Sequence, residues 1–162
     1  MSRRELIQMT DDEARSFLAE ELVVVCATNG RDGWPHLMPL WFVMRGHREP
    51  AASGTYEPWS WTYARSQKVR NLERDARATL QFESGEQYDQ LRGVMLKCDV
   101  VVHRELDVVQ PLGVEIMSRY SGGAGGEAVE QMVAAQAPKR VGLQFVERER
   151  STWDHRKLGG AY

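Results

Sequence analysis

The stretch "WTYARSQKVRNLERDARATLQFE" (residues 61–83) changes period twice. It opens on the end of an apolar run. Ser66 then stands where a helix N-cap would, and Val69 and Leu72 fall on one helical face, so the spacing predicts a helix over Gln67–Arg74. From Arg77 the pattern becomes alternation, with Ala78, Leu80 and Phe82 on one side, which predicts a strand over 77–83. Strand, short helix and strand follow one another with almost no loop. Between Arg65 and Arg77 the stretch carries five cations (Arg65, Lys68, Arg70, Arg74, Arg77) against Glu73 and Asp75, a local +3 in a chain whose net charge is −2.

Similar segments lie on either side. Thr10 and Glu13 form a capping box, and Ala14, Phe17, Leu18 and Leu22 recur at helical spacing, so residues 11–21 read as an amphipathic helix. "LVVVCAT" (22–28) is a β-branched strand, and "NGRDGWP" (29–35) carries two turn dipeptides. "HLMPLWFVM" (36–44) returns as a second strand, with Pro39 marking a bulge or an edge. Residues 45–58 read as a long polar loop before the strand "WSWTY" (59–63). Beyond residue 83, "SGEQYD" turns the chain into a long strand over 91–103. Residues 105–120 look helical, with Pro111 forcing a kink or a restart. "SGGAGG" (121–126) breaks the chain, a helix over 127–137 ends at Pro138, and residues 140–155 close with a strand. Six strands in up-and-down order predict one domain over 1–162, mainly β with flanking helices, its sheet closed as an antiparallel barrel.

The net charge of −2 excludes the broad basic face of a nucleic-acid binder. Concentrated positive charge suits a small anion instead. Cys26 and Cys98 sit in apolar runs and read as buried thiols, and the scattered histidines show no metal spacing. "MSRRELIQMT" lacks a signal-type apolar segment and no run approaches a membrane span, so the expected location is the cytoplasm, without a membrane partner.

A cap at Ser66 aims the first N–H groups of the helix at whatever lies before it, and the helix dipole adds positive charge there. Lys68 lies in the first turn and reaches back to the same spot. Thr62 and Ser66 offer hydroxyls and Arg65 a second charge. Together they describe a phosphate site built from neighbouring residues; the alternative is an ordinary solvated helix.

Four segments in order, "DGWPHLMPLWFV", "WTYARSQKVRNLERDARATLQFE", "YDQLRGVMLKCDVVV" and "KRVGLQFVERERSTWDHRKLGG", resemble the split-barrel superfamily of pyridoxamine 5′-phosphate oxidase-like flavoproteins. The resemblance is greatest to the actinobacterial branch that binds the deazaflavin coenzyme F420. It implies a six-stranded antiparallel split β-barrel of the FMN-binding type, a homodimer, and two cofactor sites at the dimer interface. It further implies that Thr62, Tyr63, Ala64, Arg65, Ser66 and Lys68 hold the cofactor phosphate. Met38, Pro39, Leu40 and Trp41 would line the ring, and Trp153 would approach from one subunit or the other. Two departures stand out: the loop over 45–58 is longer than the usual tight hairpin, and Ala76 replaces the proline of the family's "RDPR".

In such enzymes hydride chemistry belongs to the cofactor ring, and the protein positions a small-molecule substrate against it. His36, His155, Tyr63 and Tyr88 are available proton donors, none singled out by pattern. Three functions follow: an F420-dependent reductase, an FMN-dependent oxidoreductase, or a cofactor-binding protein without turnover. The acidic tail of F420 asks for extra cations. Arg148, Arg150, Arg156 and Lys157 either supply them or are solvated surface.

Overall fold

The computed structural model describes residues 2–46, 56–123 and 125–159. After a one-turn helix α1 (Arg3–Leu6), α2 (Asp11–Glu20) starts at the expected capping box: the Thr10 side chain accepts from the Glu13 N–H and the Glu13 carboxylate accepts from the Thr10 N–H. The strands are β1 (Val24–Asn29), β2 (Pro35–Leu40), β3 (Val43–Gly46), β4 (Tyr56–Tyr63), β5 (Arg77–Ser84), β6 (Arg92–His103) and β7 (Arg140–Asp154). Helix α3 (Gln67–Arg74) joins β4 to β5, and α4 (Leu106–Tyr120) and α5 (Glu127–Gln136) join β6 to β7.

All seven strands form one antiparallel sheet in the order β2-β1-β5-β6-β7-β4-β3. Two expectations are corrected here: the sheet has seven strands rather than six, and its ladder does not close. The cause lies in "HLMPLWFVM". It splits after Leu40, and its halves become the two edge strands of the sheet. Only Trp41 and Phe42 separate these edges in sequence, so the sheet must curl until its ends nearly meet, leaving a seam. Pro39 falls on an edge strand, where its missing N–H costs no ladder bond.

The loop expected over 45–58 is shorter than its sequence suggests. Arg45 pairs with Glu57 and Gly46 with Tyr56, so strand pairing extends into it from both sides; its remainder, 47–55, lies outside the described residues. Helix α4 runs unbroken through Pro111 instead of restarting there. The missing proline N–H faces only a first-turn carbonyl, and the buried face of Val109, Leu112, Gly113 and Ile116 carries the helix across it.

Two cores result. Inside the curl, Phe17 and Leu18 of α2 and Val69 and Leu72 of α3 pack on the inward side chains of β1, β5, β6 and β7, among them Leu80, Phe82, Leu96 and Phe145. Outside β3 and β4, helices α4 and α5 cover Val43 and Trp61 through Val109, Leu112, Ile116 and Val133. Gly113 makes this contact possible: a Cβ there would stand 2.7 Å from both the Trp61 ring and Val133. Cys26 and Cys98 are free and buried as expected, and burial pushes each thiol up to about 12. Among the described residues no helix is long and apolar enough to cross a membrane, and no group of His, Cys, Asp or Glu is arranged to hold a metal ion.

Candidate ligand-binding cleft

At the seam a cleft of about 510 Å³ opens between β2, the end of β4, the start of β7 and helices α3 and α4. Its lining combines Pro39, Leu40, Trp41, Thr62 and Lys68 with Val23, Trp61, Met117, Gln136 and Arg140. The first five are sequence candidates; of the others Trp61 adjoins Thr62, while Met117, Gln136 and Arg140 come from segments remote in the chain.

Lys68 and Thr62 lie at its floor, 7% and 6% exposed. The Lys68 ammonium donates to Thr62 Oγ1 at 2.9 Å. Burial holds the Lys68 pKa below its ordinary value, and the nearby Arg140 charge lowers it further, opposed only by Cys26. The Cys26 thiol is neutral near pH 7 because its own pKa is so high, so Lys68 has no anionic neighbour there.

Arg140 is a functional candidate that the sequence pattern did not reveal. It pairs across the ladder with Tyr63, and its guanidinium sits 3.8 Å from the Tyr63 ring centroid and 4.6 Å from that of Trp61. Its Nη2 donates to Gln136 Oε1 at 2.8 Å, while its Nε is buried without a partner. Among the described residues, no carboxylate forms an ion pair with Lys68 or Arg140. The aromatic faces hold the guanidinium in place without neutralising it. An uncompensated pair of cations in a partly desolvated cleft is unfavourable until an anion enters.

Ser66 stands at the N-cap of α3 as expected, but its hydroxyl makes no capping bond and is buried without a partner. The capping role read from sequence is therefore not filled. The Oγ is an unused polar group beside an N-terminal turn that no side chain caps. Ser66 itself does not line the cleft; the orphaned Arg140 Nε, with the charges of Lys68 and Arg140, fits a phosphate-bearing ligand.

The remaining candidates do not line the cleft. Tyr63 borders it through Arg140. Ala64 and Arg65 lie in the turn between β4 and α3. Met38 shares the inward side of β2 with Leu40 yet is largely exposed. Trp153 pairs with Gly93 at the far end of β7, thirteen residues from Arg140 and so on the order of 40 Å along the strand. Within one chain Trp153 does not reach the cleft. The four C-terminal cations are all engaged: Arg148 with Asp99, Arg150 with Glu147, Arg156 with Asp154 and Lys157 with Glu13.

The profile of the pyridoxamine 5′-phosphate oxidase family matches residues 10–155. The chain belongs to that family. Among solved structures of similar fold is conserved hypothetical protein Rv2991 from Mycobacterium tuberculosis, 34% identical, covering 100% of this chain and 95% of its own, with a TM-score of 0.85. An F420 reductase aligns with a TM-score of 0.66 at 17% identity over 88% of this chain and 98% of its own. A FAD-binding protein from Mesorhizobium loti aligns with a TM-score of 0.62 at 13% identity over 90% of this chain and 94% of its own. At such identities the last two show a shared fold alone. No curated protein matches the chain. Within this fold the seam cleft brings together Lys68 and Arg140, two cations with which no carboxylate of the described residues forms an ion pair.

Proposed function

We propose that the protein is an F420-dependent oxidoreductase, a reductase that passes a hydride between the deazaflavin coenzyme and a small organic substrate. The observation that carries the reading is the pair of cations, Lys68 and Arg140, in one cleft, with no carboxylate of the described residues on either. When bound, the cofactor ring supplies the hydride chemistry. This chain's residues bind and orient. Lys68, Thr62 and Arg140 would take the phosphate. Trp61, Leu40 and Pro39 exclude water from the region next to it, which strengthens each charge-assisted bond.

The FMN-dependent alternative gains support from one observation. The C-terminal cations that would attract an acidic tail are already paired within the chain, so nothing in their neighbourhood distinguishes F420 from the tailless FMN. The homodimer belongs to the same proposal. Leu37 on the edge strand β2 is largely exposed, and Trp153 meets a cleft only if a second copy brings it.

Titration of the purified protein with F420 and with FMN, followed by cofactor fluorescence, tests the reading. Saturable F420 binding that Lys68→Ala weakens is the expected result. Tight FMN binding with no F420 binding transfers the function to the alternative, and binding of neither sinks both. Light scattering at micromolar concentration is expected to give twice the chain mass; a monomer that still binds cofactor would break the interface part of the proposal.

A further inference from the structure

Trp41 stands at the rim of the cleft and is 48% exposed, although it follows a buried strand residue and precedes the fully buried Phe42. Exposed tryptophans usually keep rotamer freedom. This one is held twice by a single neighbour, Tyr120, the last residue of α4. The two rings stack with centroids 4.5 Å apart and planes 12° from parallel. The Tyr120 hydroxyl accepts from the Phe42 N–H at 2.9 Å and faces the carbonyls of Leu22 at 2.7 Å and Phe42 at 3.0 Å, to which it donates its one hydrogen. The tyrosine therefore fixes both the Trp41 indole and the backbone that carries it. Arg119 braces the same point. It donates to the carbonyls of Phe42, Ala19 and Glu21 and lies over the rings of Phe42 and Tyr120.

One face of the indole is thus occupied by Tyr120, while Trp41 contributes to the cleft wall beside Leu40 and Trp61. An anion-binding floor and a rigid flat rim in one cleft suit a ligand that carries a planar conjugated ring on a phosphate arm. The geometry points to Tyr120 as a positioning residue: it holds Trp41 as the stacking wall for that ring, so the cleft recognises ring and phosphate by separate groups. This rests on the reading of the floor as a phosphate site, but its own content is the wall. Stacking between aromatic rings is worth about 0.5–1.5 kcal/mol beyond burial, or roughly 2- to 13-fold in affinity.

Two probes separate the parts. 1-Naphthyl phosphate has ring and phosphate; glycerol 3-phosphate has phosphate alone. Calorimetric titration of the full chain is expected to show the naphthyl ester binding more tightly. Tyr120→Leu should weaken it about fivefold and leave glycerol 3-phosphate unchanged. Tyr120→Phe keeps the ring and the packing while removing the backbone anchor. It should give a smaller loss, together with faster depolarisation of the Trp41 fluorescence, read in a Trp34→Phe background because Trp34 is also exposed. Equal loss of both probes in Tyr120→Leu, or no preference for the naphthyl ester in the wild type, overturns the wall. Lys68→Ala tests the floor separately: if glycerol 3-phosphate binding survives it, the phosphate reading fails while the comparison of the two probes still decides the role of Tyr120.

Discussion

Two clefts among the described residues are of nearly equal size. One is the seam, about 510 Å³, with Lys68 and Arg140 in its lining. The other lies on the outer face of the sheet, about 480 Å³, with Arg77, Lys97 and Arg148. The outer groove holds more cations, yet each is spent. Arg77 pairs with Asp75 at 2.8 Å, Lys97 with Glu149 at 2.9 Å and Arg148 with Asp99 at 2.6 Å. The Arg77 guanidinium and an Asn29 amide hold the Asp75 carboxyl well below the usual carboxylate range. Such exposed pairs contribute little stability and leave little field for a ligand. The seam holds fewer charges, but Lys68 is buried and Arg140 partly so, and no carboxylate among the described residues neutralises them. The lesson is that charge available to a ligand depends on what each cation already touches, not on how many cations a segment carries.

The largest expected effect that tests this contrast is at Lys68. Loss of one charge-assisted contact of about 1.5–3 kcal/mol should weaken a phosphate-bearing cofactor roughly 10- to 150-fold in Lys68→Ala. Arg77→Ala in the outer groove should leave that affinity within about twofold by the same titration, since an exposed pair is worth under about 1 kcal/mol. Equal losses at both positions would erase the distinction between the clefts.

Arg140→Ala should cost about tenfold in the same assay, the lower end of a charge-assisted contact. It should also raise the Lys68 pKa, because a like charge is removed. This sharpens into a pH prediction. A lysine whose folded pKa is lowered binds fewer protons in the folded than in the unfolded chain between the two pKa values. Its burial therefore costs stability below that window, and the cost is relieved as pH rises through it. Anion affinity runs the other way. It is greatest where Lys68 is charged and should fall as pH rises through the lowered value, before an ordinary lysine would titrate. In Arg140→Ala the fall should move to higher pH, and in Lys68→Arg it should vanish. A profile identical in all three proteins would show that Lys68 does not touch the anion.

Gly113→Ala places a methyl 2.7 Å from the Trp61 ring, which backs the cleft beneath Arg140. Overpacking of this kind costs about 1–3 kcal/mol, visible as a lower midpoint in urea. The smallest effect is expected for Arg148→Ala with Arg150→Ala. Their partners Asp99 and Glu147 already neutralise them. FMN affinity should be unchanged, and F420 affinity should fall by no more than about fivefold, the ceiling for exposed charge pairs. A larger, salt-sensitive loss confined to F420 would mean that the acidic tail breaks those pairs, and would favour the deazaflavin over FMN.

The elements whose causes are local were legible from neighbouring residues. The capping box at Thr10 and Glu13, the helix over Gln67–Arg74, the alternation of Ala78, Leu80 and Phe82 and the neighbouring placement of Thr62 and Lys68 all follow from spacings of a few residues, and all appear in the structure. The remaining features depend on contacts between distant segments. "HLMPLWFVM" looks like one strand because its residues other than Pro39 suit a strand; only the curl of the sheet sends its halves to opposite edges and opens the seam. The Ser66 cap followed a sound local rule, yet its hydroxyl is left without a partner. Arg140 carries no local mark at all. It joins Lys68 because β7 pairs with β4 in a register that sets Tyr63 opposite Arg140, a contact between residues far apart in the chain. Periodicity and caps are short-range energies written into neighbouring residues. Which cations remain unpaired is fixed only when remote strands choose their register, so the site's charge is a property of the folded sheet.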